Sequence, residues 1–255
     1  MNIDEIRTIE KEMRKIIPIY LEELVDYVHV EKRRYLKDEI NLRTIIRFDN
    51  GLGVWCEENN IYFAIQNSGI FKRMSRDENY GQKIGTKLID EEEFIENDKD
   101  YIDYMDYACA NGLKEVDFCL DLLPHAVMHL VGSSEGILGE GITELRTRQI
   151  CKKYGIRCAP VWHSKETKLV MMLEKYVGEM MLNEASFLHE FSVLLDKCIE
   201  IFGPEFKEAY DDLYIEYRTY QINRTLDPME HYRNYRELNF DRIYEIIRAK
   251  EKIEV

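Results

Sequence analysis

Glycine and proline are scarce in this chain, 13 and 5 of its 255 residues. So few breakers leave little room for tight hairpins and predict a largely helical protein. Long apolar runs are missing as well. No stretch approaches the roughly 20 residues of a bilayer span. Met1 to Ile9 is polar, without the pattern of a secretory signal, and Lys250-Glu251-Lys252-Ile253-Glu254-Val255 carries no lipidation signal. These absences predict no membrane partner and a cytoplasmic location; the alternative is delivery as an effector or toxin without a classical signal peptide. Positive charge is in deficit, with 35 Lys and Arg against 49 Asp and Glu, a net charge of −14 and a pI near 5.0. Such a surface repels nucleic acid, so no nucleic-acid partner is expected. The densest basic run, Lys32-Arg33-Arg34, is flanked by acidic residues and reads as a solvated helix face. No C-x-x-C pair occurs among Cys56, Cys109, Cys119, Cys151, Cys158 and Cys198. With no signal pattern, free thiols packed as small core groups are expected.

What is present divides into two parts, residues 1–100 and 101–255. Residues 3–35 show helical periodicity through Ile6, Ile9, Met13, Ile16 and Ile17, then Leu21, Leu24, Val25 and Val28, with an interruption expected near Pro18. The next segment is β-branched and aromatic: Thr44-Ile45-Ile46-Arg47-Phe48, Gly53-Val54-Trp55-Cys56 and Ile61-Tyr62-Phe63-Ala64-Ile65. The turn-forming Asp49-Asn50-Gly51 and Glu58-Asn59-Asn60 separate these runs, which predicts a small antiparallel sheet or meander. Residues 67–100 are polar, with the acidic run Asp90-Glu91-Glu92-Glu93, and read as a loop-rich excursion.

From about Tyr101 the pattern is helical. Asp121 is placed as the N-cap of a helix with Pro124 in its first turn and Gly132 at its end. A second helix is expected from about Glu140 to Tyr154, closed by Gly155. A third is expected from Ser164 to Gly178, a fourth from about Asn183 to Phe202, and a fifth with Pro204 at its first position. Asp227-Pro228 would open the last. The fold class read from this pattern is α+β: mostly helical, with a small antiparallel sheet in the N-terminal part.

Chemistry concentrates in Leu123-Pro124-His125-Ala126-Val127-Met128-His129 and, eleven residues on, Glu140-Gly141-Ile142-Thr143-Glu144. Histidines at i and i+4 project from one helix face, the spacing one Zn²⁺ needs to take both imidazoles. Glu140, opening the next helix, could supply a third ligand and leave the fourth position open. Glu144 lies one turn beyond and could fix a histidine tautomer. The pattern is the zinc-peptidase H-E-x-x-H with Ala126 where the general-base glutamate would stand. A competing spacing, His125-x3-His129-x2-Gly132-x2-Glu135, would make Glu135 the alternative third ligand. Six histidines in 255 positions make the pair alone weak evidence. The order and closeness of all four groups carry more.

His125-Ala126-Val127-Met128-His129 followed by Gly139-Glu140-Gly141-Ile142-Thr143-Glu144-Leu145 resembles the gluzincin type of zinc metallopeptidase. With Glu174-Lys175-Tyr176-Val177-Gly178 it is similar to small bacterial cytoplasmic-type gluzincin domains, over roughly residues 101–212. The resemblance implies zinc held by His125, His129 and Glu140, support of a ligand by Glu144, and hydrolysis of a specific peptide or protein substrate by a zinc-activated water. Ala126 departs from the family and removes its proton shuttle. Deliberate inactivation of a working metalloendopeptidase would leave such a residue behind; a natural zinc-binding pseudoprotease would also carry it, and an accidental histidine pair would need no base. The rival from another class is a non-catalytic helical protein-interaction module. For oxyanion stabilisation the candidates are His163, Tyr154, Arg146 and Arg148, the arginines being better placed to pair with acidic neighbours. The tyrosines between Tyr210 and Tyr244 read mostly as helix packing. His29, His189 and His231 are left as structural or surface residues.

Overall fold

The computed structural model describes residues 2–37, 47–48, 53–57, 60–64, 115–158, 163–222, 234–235 and 237–252. The polar stretch 67–100, Thr44-Ile45-Ile46, Cys109, Asp227-Pro228 and His231 lie outside them.

Helix α1 (Ile3–Glu23) opens on a capping box, Asn2 accepting from the backbone of Asp4 and Glu5 while Glu5 accepts from the Asn2 amide. It runs through Pro18 without ending there. The proline removes one backbone donor, but Met13, Ile16, Ile17, Tyr20 and Leu21 are buried on both sides of it, and that packing holds the helix. The break comes after Glu23, and α2 (Val30–Lys37) follows.

Three short strands come next, β1 (Arg47–Phe48), β2 (Gly53–Glu57) and β3 (Asn60–Ala64). They correct the expected antiparallel meander. The order is β1-β3-β2, with β1 parallel to β3 (Arg47 opposite Tyr62) and only β2–β3 antiparallel, from Gly53 opposite Ala64 to Glu57 opposite Asn60. β3 takes the centre because its alternate residues Ile61 and Phe63 are buried in the helical core. Strands of two, five and five residues are an appendage to a predominantly helical protein, so the α+β class gives way to a helical one.

Six longer helices follow among the described residues: α3 (Glu115–Val131), α4 (Gly136–Tyr154), α5 (Ser164–Phe187), α6 (Phe191–Phe202), α7 (Pro204–Ile222) and α8 (Asp241–Glu251). α3 starts well before Asp121, which is a buried interior residue, so Pro124 sits inside the helix and not in its first turn. α4 starts at Gly136, four residues before Glu140, which shortens the α3–α4 connection to Gly132-Ser133-Ser134-Glu135. It ends at Gly155, which is left-handed at φ 64°. α5 has two arms that meet at Gly178 (φ 80°, ψ 163°) and ends at Phe187, and α6 begins only at Phe191. Pro204 opens α7.

Two apolar cores result. The first joins α1 and α3, with Ile9, Met13, Ile17 and Tyr20 against Leu122, Leu123, Val127 and Leu130. The second gathers α5 to α8 around Leu169, Leu173, Leu182, Phe206 and Ile247. α4 lies between them, giving Ile150 to the first and Ile137, Leu138 and Ile142 to the second. Its close approach depends on two glycines. A Cβ at Gly139 would come within 2.6 Å of the Ser134 carbonyl oxygen, and one at Gly141 within 2.7 Å of Val170 Cγ2. Glu140 stands between these contacts, pinned against the α3–α4 loop and α5.

Candidate metal centre

α3 and α4 pair so that early residues of one meet late residues of the other: Glu140 reaches His129 and Glu144 reaches His125. One turn separates the members of each pair, so four side chains stack in register between the helices. The Nε2 atoms of His125 and His129 are 3.1 Å apart. Glu140 Oε2 lies 3.2 Å from His129 Nε2 and 3.5 Å from His125 Nε2. These three donors form the one group among the described residues with geometry suited to a metal ion. Donors about 2.0–2.2 Å from a tetrahedral metal ion sit roughly 3.3–3.5 Å from one another, close to the spacing of this group.

The other ring nitrogens are occupied. His125 Nδ1–H donates to Glu144 Oε2 at 2.8 Å, and Glu144 in turn accepts from Arg148 at 3.5 Å, both residues being buried. His129 Nδ1 is 3.1 Å from Ser133 Oγ and 3.4 Å from the Ser133 carbonyl. Gly132, at φ 127°, ends α3 and turns Ser133 back to that ring. With each Nδ1 anchored, both rings direct Nε2 to the same point.

His163, at the start of α5, approaches from the third side. Its Nε2 is 3.3 Å from Glu140 Oε2, and its ring stacks on His125 at 5.6 Å. Its Nδ1 lies 3.6 Å from Glu166 Oε1. Glu166 is 0% exposed and accepts a hydrogen bond from the Tyr235 hydroxyl.

This packing shifts the site's charges. Burial works against a proton on His125, but hydrogen bonds to Glu140 and Glu144 prevail and raise it to about 9. Burial likewise opposes charge on Glu140, yet His129 and His163 hold its carboxyl well below the usual carboxylate range. His163 is raised against burial by the charge of Glu140 and by Glu166. Without metal, the carboxylates therefore favour a proton on His125 and on His163, and a metal cation would take the place of the one on His125.

The remaining sequence candidates fall elsewhere. Tyr154 is exposed at the far end of α4, hydrogen-bonded to Glu23, and fourteen residues of helix put it about 21 Å from Glu140. Glu135 is the exposed N-cap of α4 and is outside the donor group, because α4 begins at Gly136 and directs Glu140 inward instead. Arg146 turns to Asn183, Gln149 and Glu174, and Arg148 to Glu144, so both serve packing. Ala126 is 1% exposed within the apolar cluster of α1 and α3. Sequence reasoning missed Ser133, Glu166 and Tyr235. Only Ser133, four residues after His129, left a local signal. No family model, curated protein or solved structure matches the chain.

Proposed function

We propose that this chain carries a zinc site of the peptidase type, with the scaffold of a zinc metalloendopeptidase and an alanine at the general-base position. The convergence of His125, His129 and Glu140 on one point carries this reading. The buried Glu144 and the loop residue Ser133, which orient the two imidazoles, support it. Bound zinc would polarise a substrate carbonyl and acidify its own water. The chain's own residues hold the metal and exclude solvent around it, while the Ala126 methyl can neither accept nor return a proton. The substrate class on this reading is a peptide or protein, and the chain as it stands cuts it poorly or not at all.

Ala126→Glu tests this. General-base participation is worth about 10² to 10⁴ in rate, so a zinc-loaded Ala126→Glu chain should cleave members of a broad peptide library, read by mass spectrometry, where the parent chain is nearly silent. A folded, zinc-loaded variant that cuts nothing would instead favour a second reading, a non-catalytic zinc-binding protein. The burial of Ala126 among apolar side chains favours that alternative, because a carboxylate there would be enclosed by the core.

A further inference from the structure

Two imidazoles at the centre share one arrangement. His125 turns Nδ1 to the buried Glu144 at 2.8 Å and Nε2 toward Glu140 Oε2 at 3.5 Å. His163 repeats this from the start of α5. Its Nδ1 lies 3.6 Å from Glu166 Oε1 and its Nε2 3.3 Å from the same Glu140 oxygen. Yet His163 is outside the compact donor group of His125, His129 and Glu140. It meets that group through Glu140 Oε2 and by stacking on the His125 ring.

The groups behind His163 are built in. Its carbonyl accepts from both the amide and the hydroxyl of Thr167, which fixes the backbone under the ring. Glu166 lies one turn into α5 and is fully buried. Its Oε2 accepts from the Tyr235 hydroxyl. Its Oε1 accepts no hydrogen bond among the described residues and faces the His163 ring instead. A carboxylate enclosed in that way is costly unless an opposing group stands beside it, so Glu166 and His163 keep each other in place. Tyr235 is buried too, with Lys165 Nζ 5.8 Å from its ring centre and bonded to the Leu238 carbonyl at 2.9 Å. Glu166 also backs α4 directly: a Cβ on Gly141, the residue after Glu140, would run into its carbonyl.

We propose that Tyr235, Glu166 and His163 form a positioning strut that holds Glu140 as a one-oxygen metal ligand through Oε2. On the zinc-site reading given above, the strut sets how many places the protein fills around the ion. His129, His125 and His163 all meet Glu140 at Oε2, at 3.2, 3.5 and 3.3 Å. A carboxylate oxygen has two lone-pair directions, so Oε2 can serve the ion with one and His163 with the other. Rotating the carboxylate to offer both oxygens would break the His163 contact. With one oxygen used, three protein donors leave the fourth position of a tetrahedral ion open. Residues that orient a ligand in this way are typically worth about 10–100-fold in metal affinity.

Zinc affinity of the full chain, read by competition with a chromogenic chelator, tests the strut link by link, with denaturant midpoints to show that each variant is folded. His163→Phe keeps a ring to stack on His125 and removes both nitrogens; the expected loss is about 10–100-fold. His163→Gln, which keeps an N–H donor, should recover part of it. Tyr235→Phe should lose less, and should add nothing in the His163→Phe background, because its hydroxyl acts only through that ring. X-ray absorption at the zinc edge of the parent chain should show two imidazole ligands. Parental affinity in a folded His163→Phe, or losses that simply add in the double variant, would overturn the strut. Three imidazoles on zinc would overturn it as well, by making His163 a ligand. Those results leave the zinc site standing, whereas a parent chain that binds no zinc would overturn the site and the strut together.

Discussion

The two cores that meet along α4 differ in how many aromatic rings surround their aliphatic interiors. The one formed by α1 and α3 is mainly aliphatic, and α3 sets the polar groups Asp121, His125 and His129 along its edge. The one formed by α5 to α8 is also largely aliphatic but is edged by more aromatic rings. Phe202, Phe206, Tyr210 and Tyr214 stack along α6 and α7, and Tyr235 reaches the buried Glu166. Each core sends histidine to the same carboxylate, Glu140, which belongs to the helix between them. The difference teaches how the centre is kept rigid. The two α3 donors are rooted in the first core, and His163 of the second core holds the glycine-flanked Glu140 from the other side. The centre is thus a property of the seam and of neither core alone.

Removing the seam carboxylate should break the arrangement most. Glu140→Ala should lose metal affinity by more than the roughly 10–100-fold typical of residues behind a ligand, measured by competition with a chromogenic chelator. Glu144→Ala, which leaves the three donors but frees His125 Nδ1, should fall within that 10–100-fold range in the same assay. Equal losses for the two would mean that Glu144, not Glu140, is the true donor.

A smaller effect follows from protons. His125 is raised in the folded, metal-free chain from 6.5 to about 9. Its protonated pairing with Glu140 and Glu144 therefore stabilises the metal-free fold fully below about pH 6.5, and that stability is lost as pH rises through about 9. Denaturant midpoints of the chelated protein should fall across this window. Apparent metal affinity should rise across the same window, because the ion displaces those protons. A flat affinity between pH 6.5 and 9 would show that His125 is not a ligand. Glu135→Ala and Tyr154→Phe should have the smallest effect, leaving metal affinity nearly unchanged and shifting stability within about 0.5 kcal/mol. A large loss for Glu135→Ala would move the third donor to the shorter spacing.

What could be read from the chain in advance follows the range of the forces involved. The i, i+4 histidine pair, Glu140 with Glu144, Gly132, Gly155 and Pro204 all act within one or two helical turns, and local periodicity exposes them. Pro124 misled because a proline is tolerated early in a helix, whereas here the packing of Cys119, Leu122 and Leu123 carries α3 through it. The parallel β1–β3 pairing and Tyr235 behind Glu166 depend on how the chain returns on itself, and no residue pattern encodes that return. Tyr154 illustrates the opposite error. By sequence it is an oxyanion-stabilising candidate on the same helix as Glu140, yet helix rise carries it to the other end of α4. No helix among the described residues is long and apolar enough to cross a membrane.

The central claim is that His125, His129 and Glu140 together hold a metal ion. Elemental analysis of the chain purified without chelator, followed by zinc titration of the chelated protein, tests it most directly. The account predicts close to one zinc per chain, lost in Glu140→Ala and retained in Glu135→Ala. A folded chain that arrives without metal and takes up none on titration would contradict it.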